Sequence, residues 1–283
     1  MDGHYSFGEE IAFTEADGDL YDTFIYLYTP IDILMARMEK SERNRKYLKY
    51  DLNKWQSYEI NSLRKYCHLN NKDFYIIDSP ESNGMIDSEL ALEFIQDVYH
   101  GFSCVNFSRK IVDELNIQNK KIYLLDGDKT FCKEDTSRKF YKYKTKIFDN
   151  NFYSGFQSWR LHKDFDTFNY TEININDITI RKRFLKLEYK ILITSGYPKL
   201  WKFVCDEMNI PLIIGKEMCA DTKYFITKFL KEKNNYVISY GDSMVDYFMV
   251  KEADEGYLYV NDKGHISRSL INTDLGGIKI VFD

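Results

Sequence analysis

The run Ile122-Tyr123-Leu124-Leu125 passes without a break into Asp126-Gly127-Asp128-Lys129-Thr130. A short β-branched and aromatic run cut off by acids reads as a buried strand that delivers carboxylates to a sheet edge. In an open α/β sheet, ligands bind at that carboxyl-end edge. Two aspartates one residue apart repel each other there. A hard divalent cation such as Mg²⁺, which takes carboxylate oxygens, resolves the conflict. The segment therefore predicts a metal site with a reactive carboxylate.

The chain beyond residue 119 alternates as such a sheet requires. Strands are predicted at 122–125, 190–194, 212–214, 236–240 and 257–260, and helices at 197–208, 222–232 and 244–253. Strands alternating with helices of this length imply βαβ units and a parallel sheet, so the fold class is α/β. Three strand ends carry the chemistry. The first offers Asp126 and Asp128, the second Thr194-Ser195-Gly196, and the third Gly241-Asp242 with Asp246 four residues on. Lys223 opens the helix before the third, and Lys216, two residues past a strand, is its rival.

The N-terminal part differs in character. It holds one strand-like run at 24–28 and a helix at 31–40 with Ile31, Leu34, Met35 and Met38 at helical spacing. A basic stretch at 43–49, a long helix at 51–68 and a strand at 74–77 ending in Asp78 follow. Asp87-Ser88 caps a further helix bearing Leu90, Leu92, Phe94, Ile95 and Val98, and 107–115 reads as another helical segment. The expected organisation is an α/β or mainly helical region at 1–80, a helical connection at 81–118, and a main domain at 119–283.

Composition sets outer limits. The chain has 44 acidic against 39 basic residues, a net charge of −5. That balance argues against a polynucleotide partner while leaving free nucleotides open. Five scattered cysteines (Cys67, Cys104, Cys132, Cys205, Cys219) form no CxxC pair and read as reduced, packed thiols. No apolar stretch approaches the roughly 18–20 residues that span a bilayer. The opening MDGHYSFGEE lacks the basic and apolar parts of a signal peptide. A cytoplasmic protein with no membrane partner is the expectation.

The motifs at 119–283 resemble those of the haloacid dehalogenase (HAD) superfamily, in its phosphoserine-phosphatase-like branch. DxDx(T/V) matches Asp126 to Thr130, the strand-end Ser/Thr matches Ser195 with Thr194 as rival, the lysine matches Lys223, and GDxxxD matches Gly241 to Asp246. The resemblance implies a Rossmann-like core with a cap inserted at about 131–183. It implies a Mg²⁺-dependent phosphomonoester hydrolase that acts through an aspartyl-phosphate on a small anionic phosphorylated substrate. Asp126 is then the nucleophile, and Asp128 the acid and later the base. Ser195 and Lys223 hold the non-bridging oxygens, and Gly127, Thr194 and Gly196 line the phosphate. Asp126, the backbone carbonyl of Asp128, Asp242 and Asp246 make up the metal site. A phosphotransferase or mutase, the phosphatase part of a bifunctional kinase–phosphatase acting on nucleotides or nucleic-acid ends, and a non-catalytic binding module are the competing readings. Lys129 departs from the family, which usually has Gly there. Within the insert, Arg138, Lys139, Lys142, Lys144, Lys146, Trp159, Arg160 and His162 suit an anionic substrate with a planar part.

Residues 1–80 resemble the second half of a P-loop nucleoside or nucleotide kinase, through Asp2-Gly3-His4-Tyr5, 24–30, the arginine-bearing 37–45 and 74–78. No GxxxxGK(S/T) loop accompanies them, so nothing cradles the phosphates of ATP. The region is expected to be a truncated kinase part or a relic, and to serve self-association through apolar surface left uncovered.

Overall fold

The structure, a computed structural model, describes residues 5–7, 10–78, 86–141, 153–167, 173–260, 264–271 and 273–282. The chain divides into two compact units, Met1–Gly101 and Phe102–Asp283.

In the first unit, β1 (Ser6–Phe7) pairs antiparallel with β2 (Glu10–Ile11). A reciprocal Thr14–Asp17 cap opens α1 (Glu15–Leu20). Next come β3 (Thr23–Leu27), α2 (Ile31–Lys40), a 3₁₀ turn at Arg45–Lys49, and α3 (Leu52–Asn70). The Asp51 carboxylate accepts from Lys54 N to start α3, and Asn71, at φ 53°, ends it in the left-handed conformation that Asn tolerates. β4 (Asp73–Ile77) runs parallel to β3 with Thr23 opposite Asp73, a βαβ unit. α4 (Ser88–Tyr99) begins at Asp87, as its capping pattern predicts, and sets Phe94 edge-on to Tyr75 at 5.1 Å. β1, β2 and α1 were not foreseen, because two-residue strands and a six-residue helix are too short to show a period. Asp2, Gly3 and His4, on which part of the kinase resemblance leans, lie outside the described residues.

The second unit holds α5 (Cys104–Leu115), β5 (Lys121–Leu125), α6 (Thr136–Tyr141), α7 (Gly155–Asp166), α8 (Lys182–Leu185), β6 (Lys190–Ile193), α9 (Pro198–Met208), β7 (Leu212–Ile213), α10 (Ala220–Glu232), β8 (Tyr236–Gly241), α11 (Met244–Glu252), β9 (Glu255–Tyr259) and β10 (Lys279–Val281). Its sheet runs in the order β10-β9-β8-β5-β6-β7, with every neighbouring pair parallel. This is the expected α/β class with a parallel sheet. β5 sits between β8 and β6, so the three strand ends singled out in the sequence are adjacent.

Alternation decides what each face carries. Ile122, Leu124, Ile191, Ile193 and Val237 pack with Val105, Val112, Phe225, Phe229 and Met249 from α5, α10 and α11. Side chains of opposite parity, such as Leu125 and Leu192, are also fully buried, so the sheet is covered on both faces. The segment between β5 and β6 contains α6, α7 and α8, which gives the expected insert helical content. Lys142, Lys144 and Lys146 lie outside the described residues. Among the described residues, no helix is long and apolar enough to cross a membrane.

Candidate active site

Asp126 keeps the extended backbone of β5, at φ −65° and ψ 157°. Its parity therefore continues that of Ile122 and Leu124, toward α10. There Lys223, fully buried in the first turn region of α10, places Nζ 2.7 Å from Asp126 Oδ1 and 2.6 Å from Asp246 Oδ1. A buried ammonium is costly unless paired and hydrogen-bonded, and these two carboxylates supply the pairing. Burial works against the charge on Lys223, but Asp126 and Asp246 outweigh it and hold its pKa above the usual lysine range. Lys223, and not Lys216, is thus the lysine at the acids; Lys216 Nζ lies 5.5 Å over the ring of Phe102.

Asp246 comes from the capping box of α11. Its Oδ2 accepts from Asp242 N at 3.1 Å, Ser243 N at 3.2 Å and Ser243 Oγ at 3.1 Å. Gly241 makes this possible, because a Cβ there would stand 2.2 Å from Asp246 Cβ. One carboxylate oxygen of Asp246 is thus spent on the loop and the other on Lys223. Asp126, Asp242 and Asp246 each offer an oxygen within 4.8 Å of the others. Burial, and then repulsion from Asp246, hold the Asp126 carboxyl well above the usual carboxylate range, with Lys223 opposing. The same two causes push Asp242 up to about 7, against the pull of Lys129. A hard cation relieves this crowding, and carboxylate oxygens are donors that Mg²⁺ takes. The residues therefore fit the expected metal.

After Asp126 the chain makes one wide turn, in which Phe131 N donates to Asp126 O at 3.0 Å and Cys132 N to Gly127 O at 3.1 Å. The turn brings Asp128 back over the strand end. Thr136 N, at the start of α6, donates to Asp128 Oδ1 at 2.5 Å. Burial raises the Asp128 carboxyl to about 6 despite that hydrogen bond. Asp128 Oδ2 faces Gly196, where a Cβ would come within 3.0 Å of it. Among the described residues the clustered carboxylate oxygens are those of Asp126, Asp242 and Asp246, and Asp128 is not one of them.

The second strand end separates its two hydroxyls by parity. Ser195 shares the face of Ile191 and Ile193 and donates to Met218 O at 2.8 Å, in the turn leading into α10. Thr194 points the other way. Its Oγ1 accepts from Gly196 N at 3.0 Å and lies 2.9 Å from where a Gly127 Cβ would be. Ser195 is thus the hydroxyl on the Lys223 side. Gly127 and Gly196 both lie against the indole of Trp201, which is fully buried and would meet any side chain at either position.

Trp201 went unnoticed in the sequence, where it is one apolar residue of an amphipathic helix. Arg181 is a second such residue. Its Nη1 donates to Lys129 O and Thr130 O at 2.8 Å and to Cys132 O at 2.7 Å, and its guanidinium lies 4.3 Å over Tyr259. It clamps the turn that aims Asp128. Lys129 stands in that turn at φ 57°, ψ −4°, a left-handed conformation that costs a side-chain-bearing residue about 1 kcal/mol. This explains on physical grounds why glycine suits the position. Its half-exposed ammonium pairs with Asp135 at 2.8 Å. Burial lowers the Lys129 pKa, but Asp242 and Asp135 outweigh it and the net shift is upward.

The insert residues are largely taken up in packing. Trp159 is 3% exposed, with Lys163 Nζ 4.1 Å over its ring. Lys139 Nζ donates to Glu134 Oε1 and Asp177 O, Arg160 lies 5.9 Å over Phe156, and His162 Nδ1 meets Ser158 O at 3.0 Å. Arg138 N donates to Asp135 Oδ1.

No protein-family profile matches the chain, and no curated protein sequence does. Among solved structures it is similar to a HAD family hydrolase of Salmonella enterica subsp. enterica serovar Typhi, at 14% identity and a TM-score of 0.34. That likeness covers 51% of this chain and 63% of the hydrolase, so the chain spans less than two thirds of it. It is also similar to a phosphoserine phosphatase solved as an analogue of its phospho-aspartyl intermediate. Here the identity is 14% and the TM-score 0.32, over 52% of this chain and 89% of the phosphatase. At these scores neither likeness assigns an activity, which has to rest on the site itself.

Proposed function

We propose that this protein is a Mg²⁺-dependent phosphomonoester hydrolase of the HAD type, with Asp126 as its nucleophile. One observation carries the reading. The buried Lys223 ammonium bridges Asp126 and Asp246 at 2.7 and 2.6 Å, where three adjacent parallel strands end. Phosphoryl transfer needs a positioned nucleophile with fixed positive charge beside it, and Asp126 with Lys223 supplies both parts.

In this reading an Asp126 carboxylate oxygen attacks phosphorus in line, and the bond to the leaving oxygen breaks. Asp128, raised to about 6, gives that oxygen a proton from Oδ2 while Thr136 N holds Oδ1. Asp128, now a carboxylate, takes a proton from water, which attacks phosphorus and frees Asp126. Lys223 stabilises the charge on the non-bridging oxygens throughout. Ser195 joins it by turning its hydroxyl from Met218 O toward the phosphoryl group. Mg²⁺, held by Asp126, Asp242, Asp246 and the Asp128 carbonyl, supplies charge neutralisation when bound. Trp201 packs directly against Gly127 and Gly196 and closes that side of the site.

Hydrolysis of an aryl phosphate with Mg²⁺ and with EDTA, beside Asp126→Asn, tests the proposal. Turnover that needs metal and is lost in the variant is the expected result. Equal turnover by wild type and Asp126→Asn would overturn it. Adding an alcohol and looking for its phosphate ester separates hydrolysis from transfer to another hydroxyl.

A further inference from the structure

Cys104 and Cys219 are 115 residues apart in sequence, yet their Sγ atoms lie 3.6 Å from each other. Both side chains are buried, at 2% and 0% exposure. Cys104 is the first residue of α5 and Cys219 caps α10, so the pair joins the starts of two helices that pack on the same face of the sheet. A disulfide requires sulfurs about 2.05 Å apart, so these must close by roughly 1.5 Å, within reach of side-chain rotation and a small shift at either helix start.

The turn beside this pair also serves the candidate site. Cys104 Sγ donates to Glu217 O at 3.6 Å, and Thr222 Oγ1 donates to the same carbonyl. Met218 O accepts from Ser195 Oγ and Ser158 Oγ, each at 2.8 Å. Cys219 O accepts from Lys223 N at 3.0 Å, the bond that starts the helix carrying the buried lysine. Three successive carbonyls therefore tie the sulfur pair to Ser195 and to Lys223.

We propose that Cys104 and Cys219 form a reversible redox site, a dithiol that a small peroxide converts to a disulfide. One thiol is oxidised by hydrogen peroxide to a sulfenic acid, with release of water. The second sulfur then attacks the first and displaces hydroxide, which leaves as water with the second thiol's proton. Two thiols and one peroxide give one disulfide and two waters, and two electrons pass from sulfur to oxygen. Bond formation removes the Cys104 donor from Glu217 O and draws Cys219 toward α5. The turn then shifts under Ser195 and Lys223, and turnover falls until a thiol reductant restores the pair. The crosslink stands on the geometry alone, whereas its effect on turnover rests on the phosphatase reading.

The test treats the full chain with hydrogen peroxide, blocks remaining thiols by alkylation, and maps crosslinks by peptide mass spectrometry without reduction. Of five cysteines, none of them in a disulfide, the pair is expected to leave three open to alkylation in the unfolded chain. The joined peptides should contain Cys104 and Cys219, and dithiothreitol should return all five. Cys104→Ser and Cys104→Ala should each keep the reduced protein's turnover and lose both the crosslink and the peroxide response. Five alkylatable thiols after peroxide, a crosslink between other cysteines, or sulfinic acid without a crosslink would overturn the proposal. A mapped crosslink that leaves turnover unchanged would overturn its coupling to the site. A reduced protein without phosphatase activity would count against the phosphatase reading, and the mapping result would stand.

Discussion

Each unit has a parallel strand that ends in a buried aspartate: β4 runs into Asp78, and β5 into Asp126. Their surroundings differ. Among the described residues β4 has one parallel neighbour, β3, while β5 is flanked by β8 and β6. The flanking strand ends bring Asp242 and Asp246 on one side and Ser195 on the other, and α10 brings Lys223. Tyr28, just past β3, lies close enough to Asp78 that burial and then that carboxylate raise its hydroxyl pKa. Among the described residues, the group of three carboxylates able to hold a metal is at Asp126, Asp242 and Asp246. A strand-end acid gains chemistry from its neighbours in the sheet, and a central strand has twice as many.

The most severe way to break this comparison is to neutralise each acid in turn. Asp126→Asn should cost on the order of 10⁴-fold or more in kcat, as loss of a nucleophile does, while Asp78→Asn leaves kcat within error. Steady-state kinetics on the two variants checks both halves. Lys223→Met should lower kcat by about 10²–10³-fold. It should also lose about 3–5 kcal/mol of stability, because Asp126 and Asp246 are left buried without their cation. Urea denaturation measures the second effect, and an unchanged midpoint would contradict the bridging role.

A subtler effect concerns pH in metal-free protein. Asp128 and Asp242 have folded pKa values of about 6 and about 7, above the ordinary carboxylate value. The folded state therefore holds protons that the unfolded state has released. Their contribution is fully present below the ordinary carboxylate value of about 4 and is lost progressively as pH rises from there to about 7. In EDTA the melting temperature should accordingly fall by a few degrees across that window from these two groups, and Mg²⁺ should flatten the fall. Asp242→Asn should flatten it too, without metal. The smallest expected effect is at Lys129. Lys129→Gly relieves a left-handed side chain worth about 1 kcal/mol and removes an ammonium near Asp242. Thermal melting should show a stability change of no more than that size, with kcat on an aryl phosphate monoester whose aryl group is uncharged altered by less than about tenfold, or 1.4 kcal/mol.

Much of the second unit was legible because its signals are local. Apolar runs of four or five residues ending in Asp, Thr-Ser-Gly or Gly-Asp gave β5, β6 and β8 to within a residue or so, and helical spacing gave α9, α10 and α11. Which of Ser195 and Thr194 shares the face of Lys223 was not legible from residue type. It follows from alternation once the strand's faces are known. Trp201 and Arg181 were not legible either. Their roles depend on which backbone passes beside them, two glycines for one and the carbonyls of Lys129, Thr130 and Cys132 for the other. The insert misled in the opposite direction: Trp159 and Lys139 have the chemistry of a binding surface, yet the first is core and the second holds Glu134 and Asp177.

The central claim is that Asp126 carries the phosphoryl group. It is tested most directly by acid-quenching a single turnover with radiolabelled substrate, reducing with borohydride and sequencing the protein. An acyl phosphate at Asp126 is reduced to homoserine, so the account predicts homoserine at position 126 in wild type and none in Asp126→Asn. Turnover with no protein-bound phosphate, or homoserine at another aspartate, would contradict it.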